Sequence, residues 1–151
     1  MTVVRPARPE DLDHLLGLTE EMDRFYGTTE FDPVEVRSQQ LHDAIFSDSP
    51  AAHVLLAVDG ETAVAFAAYS FLWPAVGLTR SLYLKELFVS GQQQRKGIGR
   101  ELMQALFDLA VKHDCSRVEW TTDRDNAEAQ AFYGSFGVAL VESKLFYRLE
   151  M

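Results

Sequence analysis

The chain reads Leu-Tyr-Leu-Lys-Glu-Leu-Phe-Val over residues 82–89, Ser-Gly-Gln-Gln-Gln-Arg-Lys-Gly-Ile-Gly over 90–99 and Arg-Glu-Leu-Met over 100–103. An apolar strand is followed by a basic turn with glycines and then by the start of a helix. A helix begins with unpaired backbone N–H groups and about half a positive charge, which together attract phosphate. Gly97 and Gly99 keep side chains away from that backbone. The stretch therefore predicts a phosphate site between a strand and a helix.

Two common phosphate loops are excluded by the spacing of these glycines. A Rossmann fingerprint needs a third glycine three residues after Gly99, where Leu102 stands. A Walker loop needs a lysine directly after the glycine, and Gly97 is followed by Ile98. The pattern that remains is Gln94-x-x-Gly97-x-Gly99.

Composition indicates a single soluble globular domain over residues 1–151. The chain is 47% hydrophobic and 25% charged, and it has no run of about 20 apolar residues that could cross a membrane. The first residues lack the layout of a signal peptide, and a single cysteine, Cys115, excludes an internal disulfide. We therefore expect a cytoplasmic protein with no membrane partner.

Charge argues against nucleic acid as a partner. The 14 basic and 23 acidic residues give a net charge of −9, which repels a phosphate polymer and suits a cationic substrate. Arg95, Lys96 and Arg100 nevertheless concentrate at the glycine turn, which favours a small anionic ligand there. The four histidines are scattered without metal-ligand spacing, so we expect no metal.

Hydrophobic periodicity and turn residues predict seven strands and four helices. The predicted strands are 2–5, 52–58, 62–72, 81–89, 116–122, 138–141 and 144–149, and the predicted helices are 9–26, 33–46, 97–112 and 126–136. The order β-α-α-β-β-β-α-β-α-β-β predicts an α/β (α+β) fold with a mixed, mostly antiparallel sheet flanked by helices.

A second motif follows the glycine turn. Residues 126–138 read Asn-Ala-Glu-Ala-Gln-Ala-Phe-Tyr-Gly-Ser-Phe-Gly-Val. Together the two motifs resemble those of the GCN5-related N-acetyltransferase (GNAT) family. That family has Arg or Gln before Gly-x-Gly/Ala, and later Asn-x-x-Ala-x-x-Phe-Tyr-x-x-x-Gly-Phe. Here only the last Phe is replaced, by Val138. A plainer interpretation of Asn126 is a helix N-cap, and of Tyr133 a packed helix residue.

The resemblance is closer to the spermidine/spermine (diamine) acetyltransferase branch. Residues 83–89 are similar to its segment Tyr-Leu-Glu-Asp-Leu-Phe-Val. Lys85 stands where that branch has a carboxylate, and Gln94 and Arg95 stand where it has Arg and Gly.

The resemblance implies acetyl-CoA as cosubstrate, held in a gap beside the central strand. It implies pantetheine contacts along Leu87 and Val89, an oxyanion contact from the backbone N–H of Leu87 or Phe88, and a coenzyme contact from Asn126. It gives Tyr133 the role of protonating the leaving thiolate. The implied pyrophosphate contacts are Gln94, Arg95, Lys96, Gly97, Ile98, Gly99 and Arg100. Family members are often dimers, so a homodimer is an expectation.

Acetyl transfer to an amine needs a base or a proton path, because only the neutral amine attacks. A lysine is ordinarily protonated at neutral pH, so Lys85 is a poor replacement for a carboxylate. Glu86 is the nearest carboxylate, although strict alternation puts it on the opposite face from Lys85 and only a bulge would re-aim either side chain. Three alternatives stand: Glu86 acts through water, a carboxylate of the first helix serves, or solvent carries the proton.

The acceptor amine is constrained by few residues. Glu21 could hold an ammonium group and Tyr26 could add a cation–π contact. Lys85 could attract a substrate carboxylate, which would favour an amino-acid-like amine over a simple polyamine. The leading hypothesis is direct transfer of acetyl to a small primary amine. The alternatives are a noncatalytic acyl-CoA-binding module and an enzyme that acetylates protein N-termini or lysines.

Overall fold

Five strands form one sheet in this computed structural model, which describes all 151 residues. The strands are β1 Thr2–Pro6, β2 His53–Asp59, β3 Thr62–Leu72, β4 Arg80–Val89 and β5 Cys115–Trp120. The helices are α1 Leu12–Phe25, α2 Val34–Ile45, α3 Ile98–Lys112 and α4 Ala127–Gly134. Single turns of 3-10 helix occur at Pro9–Asp11 and Gly91–Gln93. The sheet belongs to the compact unit Met1–Trp120, and α4 belongs to a second unit, Thr121–Met151.

The sheet order follows the chain, β1-β2-β3-β4-β5. The first three pairings are antiparallel and β4 pairs with β5 in parallel, because α3 carries the chain back across the sheet. The mixed, mostly antiparallel sheet and the four helices are thus confirmed.

The two closing strands predicted at residues 138–141 and 144–149 are wrong for this structure, which has five strands rather than seven. The apolar side chains that suggested them are exposed, with Leu140 at 86% and Phe146 at 68% of full exposure. A strand is stabilised by hydrogen bonds to a neighbour, and this segment has none. Runs of apolar residues indicate a segment that could form a strand, but they do not provide the neighbouring strand it needs.

The core of the first unit covers both faces of the sheet, since Ala65, Phe66 and Ala67 are consecutive in β3 and all buried. Leu15 and Leu18 of α1 pack in one cluster with Phe66. The helix α3 also contacts the sheet and has its own fully buried side chains, Leu102, Met103 and Leu106. No helix of the structure has both the length and the apolar character needed to cross a bilayer.

A buried ion pair ties β1 to the start of α1. The Asp11 carboxylate accepts two hydrogen bonds from the Arg5 guanidinium, at 2.7 and 2.9 Å, and one from the Arg8 backbone N–H at 2.8 Å. The hydrogen bonds from Arg5 lower the pKa of Asp11 to about 2, against desolvation, which raises it. Asp11 is 5% exposed, so removing its charge leaves Arg5 without its partner.

Asp11→Asn is expected to lower the free energy of unfolding by about 2 kcal/mol at pH 7. The folded-state pKa is depressed, so the stabilisation is complete above the unfolded value of about 4 and is lost as pH falls toward about 2. Urea unfolding at pH 7 and pH 3 measures it, and the difference from wild type should shrink to about half at pH 3. The exposed carboxylate in Asp43→Asn serves as control, and an equal loss in both variants would contradict the role of the buried pair.

Candidate functional site

The strand β4 continues beyond the point where β5 stops pairing with it. The parallel pairing runs from Arg80, opposite Cys115, to Leu84, opposite Trp120. On its other side, β4 stays paired with β3 as far as Val89. Residues 85–89 therefore have a strand on one side only, and the edge that faces away from β3, called here the open edge, has no strand to pair with.

Backbone direction identifies which residues face this open edge. The Ser90 N–H donates to the Val64 carbonyl oxygen at 2.9 Å, on the β3 side. Backbone groups of alternate residues point to opposite sides of a strand, so Phe88 also faces β3, whereas Leu87 and Val89 face the open edge. Of the two residues predicted for the oxyanion contact, this alternation favours Leu87. The side chain of Phe88 is buried in the core.

A bulge interrupts β4 at Lys85. Ala68 of β3 lies opposite Glu86. Tyr69, the next residue of β3, lies opposite Leu84, which leaves Lys85 without a partner on β3. Lys85 is exposed and Glu86 is half-buried. The strict alternation assumed from the sequence thus does not hold here, and the bulge considered as the means of re-aiming these side chains is present.

The bulge places Glu86 on the face of the sheet that α1 covers. Glu86 lies opposite Ala68 and Phe88 lies opposite Phe66, two residues along β3, so Glu86 and Phe88 share a face. Phe66 and Phe88 pack with Leu15 of α1 in one core cluster. Leu84 lies opposite Tyr69 and therefore on the other face, whereas strict alternation without a bulge would put Leu84 and Glu86 on the same face.

The turn before α3 has the backbone shape of an anion-binding nest. The torsion φ is +66° at Arg95 and +81° at Gly97, whereas it is not positive at Lys96 between them. Alternation of this kind makes successive N–H groups converge on one point. Gly97 is also the N-cap of α3 and gives no side-chain cap, so the first amides of the helix have no acceptor within it. A Cβ built at Gly97 would meet no atom within 4 Å, so the space beside this glycine is open.

Exposed cations surround the nest, as the sequence predicted. Arg95, Lys96 and Arg100 are all exposed, and the Lys96 ammonium donates to the Gln93 amide oxygen at 3.2 Å. The Gln94 amide turns back and donates to the Val89 carbonyl oxygen at 3.2 Å. Arg95 occupies a left-handed conformation that costs a non-glycine residue about 1 kcal/mol, which explains why the resembled branch has glycine there.

Glu21 makes contacts that its predicted role at the amine did not include. Its carboxylate accepts hydrogen bonds from the Ser90 hydroxyl, at 3.0 and 3.2 Å, and from the Gly91 N–H at 2.9 Å. The residue therefore joins α1 to the loop that follows β4. Tyr26, also predicted at the amine, is 58% exposed after the end of α1, where its ring packs edge-on against Phe25.

The second motif lies in the second unit. The Asn126 side chain accepts a hydrogen bond from the Ala129 N–H at 3.0 Å, so the N-cap interpretation of this residue is confirmed. Tyr133 lies in the last turn of α4, half-buried, with its ring 5.2 Å from that of Phe132. The coenzyme contact of Asn126 and the proton transfer by Tyr133 stay predictions.

Two polar contacts were missed from the sequence. The buried Ser81 hydroxyl donates to the Glu119 carboxylate at 2.8 Å, which links β4 to β5 on the side where they still pair. Ser90 was not singled out either, although it binds Glu21. The available signal was a serine inside or directly after an otherwise apolar strand, because a buried hydroxyl needs a partner.

The comparisons with known protein sequences all point to acetyltransferases. A sequence model of the Acetyltransferase (GNAT) family matches residues 17–138. The thialysine N-epsilon-acetyltransferase of Mus musculus is 24% identical over 160 residues, which cover 99% of this chain and 92% of that protein. The D-amino-acid N-acetyltransferase of Saccharomyces cerevisiae is 32% identical over 95 residues, which cover 62% of this chain and 58% of that protein.

Solved structures match the fold along nearly the whole chain. An integron cassette protein from the mobile metagenome of V. cholerae superposes with a TM-score of 0.91 and 31% identity, covering 99% of this chain and 93% of that one. An aminoglycoside N-acetyltransferase in complex with CoA superposes with a TM-score of 0.79 at 19% identity, covering 100% of this chain and 96% of that one. At that identity the second likeness shows the fold alone.

Gly97→Ala is expected to weaken the binding of coenzyme A at least tenfold, about 1.4 kcal/mol, because a methyl group would enter the nest. The matched control is Gly60→Ala in the turn between β2 and β3, where φ is also positive, at +64°, and a Cβ also meets no atom within 4 Å. Both variants should lose about 1 kcal/mol of stability from backbone strain. Calorimetric titration and thermal melting measure the two effects, and equal affinity in the two variants would remove Gly97 from the phosphate site.

Proposed function

Because the chain belongs to the Acetyltransferase (GNAT) family and is an N-acetyltransferase, we propose that it transfers an acetyl group from acetyl-CoA directly to the primary amine of a small molecule. The observation that carries the proposal is that the open edge of β4 is followed by the nest, which lies in the loop between β4 and α3. An extended ligand with a diphosphate at one end has the chemistry to use both.

The residues present fit acetyl-CoA, which members of this family use. Leu87 and Val89 offer backbone groups to an extended pantetheine chain. The diphosphate has the convergent amides of residues 95–97, the start of α3 and the surrounding cations. Bound there, the coenzyme supplies an activated acetyl thioester. We infer that the diphosphate is also contacted by Gln94, Ile98 and Gly99, and that Asn126 contacts the coenzyme, because the family motifs include these residues.

The proposed proton transfers divide between two groups. Tyr133 donates a proton to the leaving thiolate, because a tyrosine phenol is ordinarily protonated at neutral pH. Glu86, which lies on the α1 face of the sheet, accepts a proton from the substrate amine, either directly or through water. The N–H of Leu87 donates to the oxyanion that develops on the acetyl carbonyl.

For the acceptor, we propose an amine that also carries a carboxylate. Two of the relatives are named for thialysine and D-amino acids as substrates. In this chain Lys85 is exposed at the bulge and adjacent in sequence to Glu86. We therefore propose that the amine of the substrate lies near Glu86 and that Lys85 attracts the carboxylate of the substrate. Residues 1–151 as one domain, a homodimer and a cytoplasmic location stay predictions.

Tyr133→Phe is expected to lower kcat about 100-fold while the affinity for coenzyme A stays within twofold, because only the proton donor is removed. Thiol release from acetyl-CoA is followed with a panel of amines, and the coenzyme is titrated by calorimetry. Tyr147→Phe, an exposed tyrosine in the same unit, is the matched control. No thiol release by wild type with any amine would overturn the proposed function, whereas full activity of Tyr133→Phe would remove only that residue.

Lys85→Glu is expected to shift the preference from amino-acid-like amines toward polyamines, by about fivefold in the ratio of kcat/KM values. The physical reason is the change from a cation that attracts carboxylate to an anion that attracts a second ammonium group. Lys144→Glu makes the same change of net charge elsewhere in the chain and should leave the ratio unchanged. If both variants shift the ratio equally, Lys85 has no specific role in the choice of amine.

A further inference from the structure

The loop between β4 and α3 is fixed at its two ends and exposed between them. At the end of the loop stands Ile98, the first residue of α3, which is only 3% exposed and belongs to the core. At its start, Ser90 is bonded to β3 through its N–H and to Glu21 through its hydroxyl. The residues between 91 and 97 are exposed or half-buried. The geometry of the nest therefore depends on where these two ends are held.

Glu21 holds the first end from another element. Its carboxylate takes three contacts, from one hydroxyl and one backbone N–H, across a sequence separation of 69–70 residues. Hydrogen bonds to a charged acceptor are the stronger class in proteins. The Ser90 carbonyl in turn accepts from the Gln93 N–H at 2.8 Å, which forms the 3-10 turn Gly91–Gln93. Holding Ser90 thus also holds the turn that leads to Arg95.

We propose that Glu21 is a positioning residue that holds the loop 90–97 in the shape that binds the coenzyme diphosphate. The inference rests on the proposed function and assigns this carboxylate to the coenzyme side of the reaction instead of to the amine. Glu21 touches neither substrate in this role and acts through Ser90 and Gly91. Removing the Glu21 carboxylate changes no residue of the nest, but it lowers the fraction of molecules in which the backbone amides of the nest converge.

The expected effect follows from that fraction. If the loop is correctly shaped in about one-tenth of the variant molecules, the apparent Kd for the coenzyme rises about tenfold, whereas steps after binding are unchanged. Gln at position 21 has the same shape as Glu but is neutral and has one acceptor oxygen instead of two, because its NH2 group only donates. It therefore removes the charge that strengthens the contacts with the Ser90 hydroxyl and the Gly91 N–H. Glu21→Gln is therefore the mildest substitution that tests the carboxylate.

The experiment compares wild type, Glu21→Gln and the matched control Glu20→Gln, which loses an exposed ion pair with Arg24 on the same helix. Calorimetry measures the affinity for coenzyme A, and hydrogen exchange measures the Gln93 amide, which reports the loop without any ligand. We expect Glu21→Gln to bind coenzyme A about tenfold more weakly and to exchange the Gln93 amide about tenfold faster, with the control unchanged. With acetyl-CoA and the best amine, KM for acetyl-CoA should rise while kcat stays constant.

Ser90→Ala supplies a second variant in case Glu21→Gln folds poorly. Removing the hydroxyl should weaken coenzyme binding in wild type but add little in the Glu21→Gln background, since the two groups form one contact. Unchanged affinity and exchange in Glu21→Gln, or a rise in KM for the amine alone, would overturn the positioning role. If wild type itself gives no heat with coenzyme A, the proposed function has failed. If wild type binds coenzyme A and Glu21→Gln binds it equally well, only the positioning role of Glu21 has failed.

Discussion

Backbone hydrogen bonding along β4 changes after Leu84, and the candidate site depends on that change. Up to this residue the strand has neighbours on both sides, and beyond it only β3 continues. An unpaired strand edge is a liability that proteins ordinarily cover. Here β3 pairs with the strand as far as Val89, and a short 3-10 turn connects the strand to the nest before α3. In the proposed site, one strand thus offers backbone groups to a chain-like ligand and is followed by a turn that suits a diphosphate.

The bulge at Lys85 gives the same strand a second function. It shifts the alternation by one residue, so Glu86 faces the α1 side together with Phe88. The backbone edge and the carboxylate are consequently oriented by different features, the edge by the end of pairing with β5 and the carboxylate by the extra residue. Under the proposed function, a change at either feature should affect a different part of the reaction, the amine side for Glu86 and the coenzyme side for the strand edge.

The fold was largely predictable because its elements carry strong periodic patterns. Residues 62–72 form a nearly continuous apolar run after a turn and match β3 fully, and the prediction of α3 from its apolar stripe is right to within a residue. The glycine turn was predictable because Gly97 needs a positive φ, which few other residues adopt. These features are local, so the sequence contains all the information needed to find them.

Features that depend on a distant partner were harder to predict. The face of Glu86 requires the register of β4 against β3, and the bond from Glu21 to Ser90 joins segments far apart in the chain. Residues 138–141 and 144–149 are apolar enough to suggest strands, yet composition does not state what a strand pairs with. In each case the missing quantity was a long-range contact, which a pattern along the chain does not contain.

Because Arg95, Lys96 and Arg100 are exposed, the attraction for the coenzyme in the proposed site has two parts. The cations act through solvent, where dissolved ions screen a charge within about 10 Å at moderate ionic strength. The backbone amides of the nest act at contact distance and are barely screened. Added salt should therefore slow the arrival of the coenzyme much more than it loosens the bound diphosphate, so the protein would remain selective in a concentrated medium while becoming slower to load.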